Sequence, residues 1–407
     1  MKITITTVGS RGDVQPYVAL GRGLAAAGHA VTMAADELFE PFIRENGLAF
    51  ARLAADPMKP LEVDIRQLGN NPVKVFKWMA AFVEEIGSEY FETYLEANRG
   101  TDLMIFSSVA AMAGLHIGAR LNVPMLSSTL QPIVPTRAYP YSAGMILPGW
   151  FPFLGTINKA SYELFNRTFY RMLYKVINRD RERVLGLPRL PWKLYKSLDL
   201  SAYPMLHGFS RHVIPKPEDY NDNQIFTGYW FLDQDEDWQP SAELEAFLAA
   251  DPKPVYIGFG SMVDQDAEEL TRLVVEALAI SGQRAVLLGG WTNLGGEGLP
   301  ESIMKVEHVP HDWLFPQVSA VIHHGGAGTT AASLRAGSPT VVVPFFADQP
   351  FWGRRVAKLG AGPAPVPRQK LTAKRLAAAI TRAVEDPSIR QRAAEVGEKL
   401  RLSLIHI

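Results

Sequence analysis

His324 stands directly before the turn Gly325-Gly326-Ala327-Gly328, with Thr329 and Thr330 next and Asp348-Gln349 a short way on. Glycines let a backbone approach an anion closely, and the N–H groups that open a following helix, with its positive end, then hold it. An imidazole beside such a turn can meet the same anion. An acid and an amide at the next strand's end suit the hydroxyls of whatever the phosphate carries. A second reactive group lies far upstream in Gly9-Ser10-Arg11-Gly12-Asp13. Asp13 fits either of two roles, a plain helix cap or a carboxylate facing the crevice where open α/β sheets bind ligands. Ser10 and Arg11 line the same turn.

These residues need elements to present them. Ser319 to Ile322 is an apolar run that predicts a buried strand, and the small-residue segment after the glycines predicts a helix ending at Gly337. Thr340 to Val343 predicts the next strand, which delivers Phe346-Ala347-Asp348-Gln349. Strand, glycine turn, helix, strand and acid make a phosphate-binding βαβ unit. At the start of the chain Lys2 to Val8 predicts a buried strand, and Val14 to Ala27 a helix closed by Gly28. Asp13 falls at the N-cap, and Pro16 in the first turn, where its missing N–H costs little. Ala30 to Ala34, the run around 101–108 and the segment ending in Ser127-Ser128-Thr129 continue the pattern, with His116 on an intervening helix. In the second half Pro254 to Phe259 ends in Gly260-Ser261, and Ala285 to Leu288 ends in Gly289-Gly290-Trp291. Alternating strands and helices of this kind predict parallel sheets.

A chain of 407 residues is too long for one core and suits two domains. With 41 Lys and Arg against 42 Asp and Glu, and no basic cluster, nucleic acid is not an expected partner. There is no cysteine, which excludes disulfides and thiolate metal sites. No signal-like or membrane-spanning apolar run is visible, so the expectation is a soluble, cytoplasmic protein. Asp233-Gln234-Asp235 and Asp264-Gln265-Asp266 have the form of a metal motif. The first lies in an acidic, turn-rich stretch, and Asp266 suits a helix cap with Glu269. His323 and His324 are adjacent on a strand and point opposite ways, so no metal is expected. Gly326-x-Gly328-x-x-Ala331 with Asp348 also matches a dinucleotide fingerprint, which keeps an NAD-dependent oxidoreductase open. Against it, the motif comes late in the chain and gives His324 no role. An esterase is set aside because no G-x-S-x-G elbow occurs. Residues 131–200 are rich in proline and aromatics, a long excursion that suits an apolar acceptor site or a peripheral membrane contact through Trp150 to Phe153. Lys175 and Arg181-Glu182-Arg183 read as a solvated face.

The stretch VIHHGGAGTTAASLRAGSPTVVVPFFADQPFWGRR resembles the nucleotide-sugar signature of family 1 glycosyltransferases, most closely the bacterial antibiotic and sterol glucosyltransferase branch. GSRGDVQPYVALGRGLAAAGHAV is similar to the N-terminal motif of that branch. The resemblance implies an α/β protein of the GT-B kind, two facing Rossmann-like domains with parallel sheets and an interdomain cleft. It divides the chain into an acceptor-binding domain over residues 1–228, a linker over 229–250 and a nucleotide-sugar domain over 251–401, with 402–407 a truncated or non-native tail. It implies an inverting transfer of a hexose, most closely glucose, from a UDP-sugar to an apolar alcohol, with no cofactor and no metal. Asp13 is then the general base, and His324 helps stabilise the departing diphosphate. Donor contacts are implied for Ser10, Arg11, Gly12, Ser261, Trp291, His308, Val309, Gly326, Gly328, Thr329, Thr330, Asp348 and Gln349. Acceptor contacts are implied for Phe76, Met79, Phe82, His116 and Phe346. The chain departs from the plant-type pattern where its stacking Trp falls at His308 and its ribose-clasping acid at Ala332. UDP and TDP donors, several acceptor classes and a catalytically idle binder of apolar ligands therefore stay open.

Overall fold

The computed structural model describes residues 1–54, 87–141, 150–192, 203–233, 238–260, 267–289 and 298–403. Phe76, Met79, Phe82, Ser261 and Trp291 lie outside the described residues, as does the segment Asp264-Gln265-Asp266. The chain forms two compact units. One holds Met1–Phe209 and Lys216–Leu232; the other holds Ser210–Pro215 and Asp233–His406.

The first unit is built on seven strands: β1 (Lys2–Thr6), β2 (Ala30–Ala35), β3 (Ala49–Arg52), β4 (Leu103–Ser107), β5 (Met125–Thr129), β6 (Met205–His207) and β7 (Gln224–Phe226). They lie in the order β3-β2-β1-β4-β5-β6-β7. Every pairing is parallel. A parallel sheet is covered on both faces, which is why its central strands read as continuous apolar runs. Ile3 and Ile5 of β1 and Ile105 of β4 are buried in one cluster with Val14, Tyr17 and Val18 of helix α1 (Arg11–Ala26). Helix α2 (Ala111–Leu121) packs with Phe106 and Met104 in a second cluster. Helix α3 (Leu154–Arg183) is 30 residues long and matches the helical pattern that the sequence shows from about Ile157 to Val184.

The second unit has five strands: β8 (Val255–Gly258), β9 (Ala285–Leu288), β10 (Ile303–Val306), β11 (Val321–His323) and β12 (Thr340–Val342). Their order is β10-β9-β8-β11-β12, again all parallel. Residues of α4 (Ala242–Ala249) pack with Tyr256, Leu314 and Phe315 in one core cluster. Residues of α5 (Ala267–Ser281) and α8 (Ala373–Glu385) pack in another, with Ile257 and Ile322. The remaining main helices are α6 (Ala327–Ala336), α7 (Gln349–Leu359) and α9 (Pro387–Ser403). The far end of α6 abuts α9 with almost no space. A methyl group added at Gly397 would lie 2.7 Å from the Gly337 Cα. Arg401 of α9 also donates from Nη1 to the Arg335 carbonyl at 2.6 Å.

Each sheet reverses its strand order once, between β1 and β4 in the first and between β8 and β11 in the second. At such a reversal the connections leave in opposite directions, and the crevice at the strands' carboxyl ends is where open sheets bind ligands. Asp13 follows β1 and His324 follows β11, so the sequence places its two reactive groups at the two reversals.

The division differs from the expected one in detail. Tyr229–Leu232 belongs to the first unit, where Trp230 meets Tyr17 edge to face at 5.3 Å. The stretch expected as a linker to residue 250 already folds onto the second sheet through Leu244 and Leu248. Helix α1 also starts earlier than expected. Ser10 is its N-cap and Asp13 its third residue. The helix α3 contains Arg181, which is buried rather than on a solvated face.

Candidate active site

In the first unit Thr6 ends β1 and the chain turns through Gly9, whose φ is +132°. That conformation is open to glycine and strained for other residues. Space closes the position further, since an added Cβ would lie 2.4 Å from Asp13 Oδ2. The Ser10 N–H donates to Asp13 Oδ2 at 2.9 Å, and Ser10 Oγ donates to the same oxygen at 3.0 Å. Thr7 Oγ1 donates to the Asp13 carbonyl at 2.9 Å. Asp13 thus closes a capping box from its third position. Its Oδ1 has no hydrogen-bond partner among the described residues. Burial pushes its pKa up from the ordinary carboxylate value, and the two Ser10 bonds pull it back toward the ionised form. Such a carboxylate is a stronger base than an exposed one.

The neighbours divide unequally. Arg11 is exposed, and its guanidinium lies over the Phe42 ring at 4.6 Å. Gly12 is exposed at the helix start. His116 does not line an open wall. It is 2 % exposed, and its Nδ1 lies 3.0 Å from Arg181 Nη1. A guanidinium can only donate, so Nδ1 accepts and the ring is neutral. Burial, helped by Arg181, lowers its pKa to about 4. Packing, not acceptor contact, accounts for this residue.

In the second unit β11 ends with His323, and His324 follows it, the two rings lying 88° apart. His323 is fully buried, and its Nδ1 accepts the Gly325 N–H at 3.0 Å. Gly325 has φ +97°, and a Cβ there would lie 2.7 Å from Val342 Cγ1 and 3.0 Å from the Gln349 carbonyl. His324 is half-buried against the turn, with its Nε2 2.5 Å from where a Gly326 Cβ would lie. Desolvation, then the charge of His311, lowers the His324 pKa to about 4, so the ring is neutral near pH 7.

Gly326 is the N-cap of α6. The first intrahelical bond runs from Thr330 N to the Gly326 carbonyl at 2.9 Å. The N–H groups without an intrahelical acceptor are therefore those of Gly326, Ala327, Gly328 and Thr329, which include the expected Gly326 and Gly328. Gly328 is exposed and Thr329 half-exposed. Thr330 differs from the expectation. Its side chain is buried and Oγ1 donates to the Gly326 carbonyl at 2.8 Å, so it braces the turn. Gln349 Oε1 accepts from the N–H groups of Phe345 and Phe346 at 2.7 and 3.2 Å, which fixes the loop after β12. Asp348 Oδ2 accepts from Trp352 Nε1 at 2.8 Å. Ala347, just before it, holds the left-handed φ of +54°. Phe346 is half-buried, His308 is exposed, and the Val309 side chain is buried in the core.

Residues 3–140 match the glycosyltransferase family 28 N-terminal domain. Residues 292–402 match the C-terminal domain of the erythromycin biosynthesis protein CIII-like family. Across 98% of its length the chain is 36% identical to a sterol 3-beta-glucosyltransferase of Cryptococcus neoformans var. neoformans serotype D. It spans 26% of that relative's own length. Among solved structures, the calicheamicin glycosyltransferase CalG4 superposes with a TM-score of 0.70 at 18% identity, over 99% of this chain and 94% of that one. The glycosyltransferase SsfS6 of Streptomyces sp. SF2575, complexed with thymidine diphosphate, superposes at 0.61 with 20% identity, over 100% of this chain and 98% of that one. The chain has the GT-B fold.

Within this GT-B fold, sequence reasoning found the turn but missed what holds it. The histidine before His324 supplies the acceptor that fixes Gly325, and Ser10 supplies the donors that fix Asp13. The signal for Ser10 was present, because Ser-x-x-Asp is a capping-box spacing. No spacing announces His323, since its role depends on which ring nitrogen meets the turn. Asp233 forms an ion pair with Arg335, its Oδ2 accepting from Nη2 at 3.1 Å. Among the described residues no group of three His, Asp or Glu side chains has a metal-holding arrangement. No described helix is long and apolar enough to cross a membrane.

Proposed function

We propose that this chain moves a hexose, glucose by preference, from a UDP-sugar to a hydroxyl of a sterol or another apolar alcohol, inverting the anomeric carbon. Asp13 takes the acceptor hydroxyl's proton as that oxygen forms its bond to the anomeric carbon. The bond from that carbon to the diphosphate breaks, and the diphosphate leaves with the electron pair. Negative charge then grows on the phosphate oxygens. The N–H groups of Gly326, Ala327, Gly328 and Thr329, the α6 dipole and a hydrogen bond from neutral His324 are preorganised to receive it. Asp348 is assigned to the sugar hydroxyls. Stabilisation by amides and imidazole supplies what a metal would otherwise supply, so the reaction is assigned no cofactor. The cytoplasm is the compartment we assign.

The observation that supports this reading most is the fixed glycine turn at the β8/β11 reversal, with a neutral imidazole beside it. The sterol acceptor rests on the likeness to the 36%-identical sterol 3-beta-glucosyltransferase. A TDP-sugar is the second donor, favoured by the thymidine diphosphate in the SsfS6 complex. Mass spectrometry of products from UDP- and TDP-sugars with a small panel of apolar alcohols tests the proposal. The expected result is a hexosylated sterol from the UDP-sugar. Thermal stabilisation by NAD(H) and not by UDP or TDP, with no sugar transfer, overturns it.

A further inference from the structure

Trp150 and Phe153 are 80% and 83% exposed, the two most exposed large apolar side chains among the described residues. Water-facing aromatics of that size, close together, mark a surface that meets something apolar. Phe153 has φ +59°, a left-handed conformation rare for a bulky residue, and it is the N-cap of α3. The helix continues the pattern. Ile157, Ala160 and Leu164 follow Phe153 at spacings of three or four, and all are exposed. Arg167, Arg171 and Lys175 extend the same stripe and are exposed too. Residues at such spacings share one helix face. The acids of this stretch lie off that line, with Glu163 a quarter-turn away. The outer face of α3 is thus apolar at its N-terminal end and basic further along.

We propose that the first unit docks on an anionic membrane surface through this face, with Trp150, Phe153, Ile157 and Leu164 entering the headgroup boundary. Arg167, Arg171 and Lys175 would lie against lipid phosphates. The arrangement is that of an interfacial helix, apolar at one part and cationic at another, in which neither feature alone gives firm binding. Charge decides between occupants. A second copy would bring three more cations against these, whereas an anionic leaflet attracts them. Indole and phenyl rings at the apolar end suit the boundary between headgroups and acyl chains. The purpose of the contact rests on the acceptor reading above, since a sterol resides in a bilayer; the docking itself does not.

Cosedimentation of the full chain with vesicles tests the proposal, using phosphatidylcholine alone and with roughly one-third phosphatidylserine. The wild-type chain is expected to sediment with the anionic vesicles and to be released at high salt. Trp150→Ser with Phe153→Ser should weaken partition by about tenfold or more. Arg167→Glu with Arg171→Glu should abolish the preference for phosphatidylserine. Unchanged circular dichroism and thermal midpoints establish that both variants fold. With the functional reading correct, the aromatic variant glucosylates a water-soluble alcohol at the wild-type rate and a vesicle-embedded sterol more slowly. Wild-type protein left in the supernatant with anionic vesicles overturns the proposal, as does equal sedimentation of the variants. So does a dimer on size exclusion that Trp150→Ser with Phe153→Ser dissociates, because the face then joins two copies. Sedimentation without turnover of either alcohol removes the functional reading and leaves the docking intact.

Discussion

The strand reversals of the two sheets carry reactive groups of opposite kind, and burial acts on both in the same direction. At β1/β4 it raises the pKa of Asp13; at β8/β11 it lowers that of His324 to about 4. Each shift favours the uncharged form. For a proton acceptor that is useful only if ionisation is retained, and Ser10 retains it with two donated hydrogen bonds. For a group meeting a diphosphate, neutrality is an advantage, since a neutral ring donates without bringing its own charge into a desolvated turn. The lesson is that one physical cause, loss of water, can prepare a base in one place and a neutral donor in another. What differs is the second partner, a serine in one case and a buried histidine bracing the turn in the other.

This comparison can be broken most sharply at Asp13. Asp13→Asn should lower turnover by about 10³-fold while leaving nucleotide affinity near wild type. Comparable loss of both would mean the two reversals are not separable in function. His324→Ala should cost about 10²-fold in kcat, because it removes a donor to the leaving group. A smaller effect, seen in titration calorimetry with UDP, is expected for His323→Leu. Without its acceptor the Gly325 N–H loses its fix, and UDP affinity should fall about tenfold, the worth of one hydrogen bond to a buried group. His323→Asn should recover most of that loss, since its side-chain oxygen can accept the same N–H. Equal behaviour of the two variants would assign His323 to packing alone.

The smallest effect concerns pH. A general base works only when deprotonated, so activity falls as pH drops through its pKa. With Asp13 raised by burial, the acid limb of kcat/KM should lie above the ordinary carboxylate value of 3.8. Ser10→Ala removes the Oγ donor that lowers this pKa, so the limb should move to higher pH. Turnover at neutral pH should change only a few-fold. A shift to lower pH would show that Ser10 does not hold the ionised form.

Much of this arrangement was legible in the residues. Apolar β-branched runs gave the strands at Ala285–Leu288 and Thr340–Val342, and Gly337 gave the end of α6, where it adopts a left-handed φ of 74°. The glycine turn was legible because few sequences put four small residues between a buried strand and a helix. The start of α1 was misjudged because an acid at the cap and an acid at the third helical position follow a turn equally well. Only the direction of the Ser10 bonds separates them. The boundary lies a few residues beyond 228, because Trp230 follows a glycine turn yet packs against Tyr17, a contact between residues far apart in sequence. His116 and Arg181 illustrate the same limit, since an exposed face and a buried pair have similar local patterns. Thr330 and Gln349 were recognised as important, but hydrogen bonding turned them toward their own loops.

The contact between Gly337 and Gly397 has a consequence for how the second unit tolerates change. The glycine turn sits at one end of α6, and at the other end that helix rests against α9 with no slack, like a rod against a stop. A single methyl at Gly397 would lie 2.7 Å from the Gly337 Cα, so one of the two helices must give way. Substitutions on α9 can therefore bear on the helix that carries the glycine turn, although no residue of the turn itself has changed.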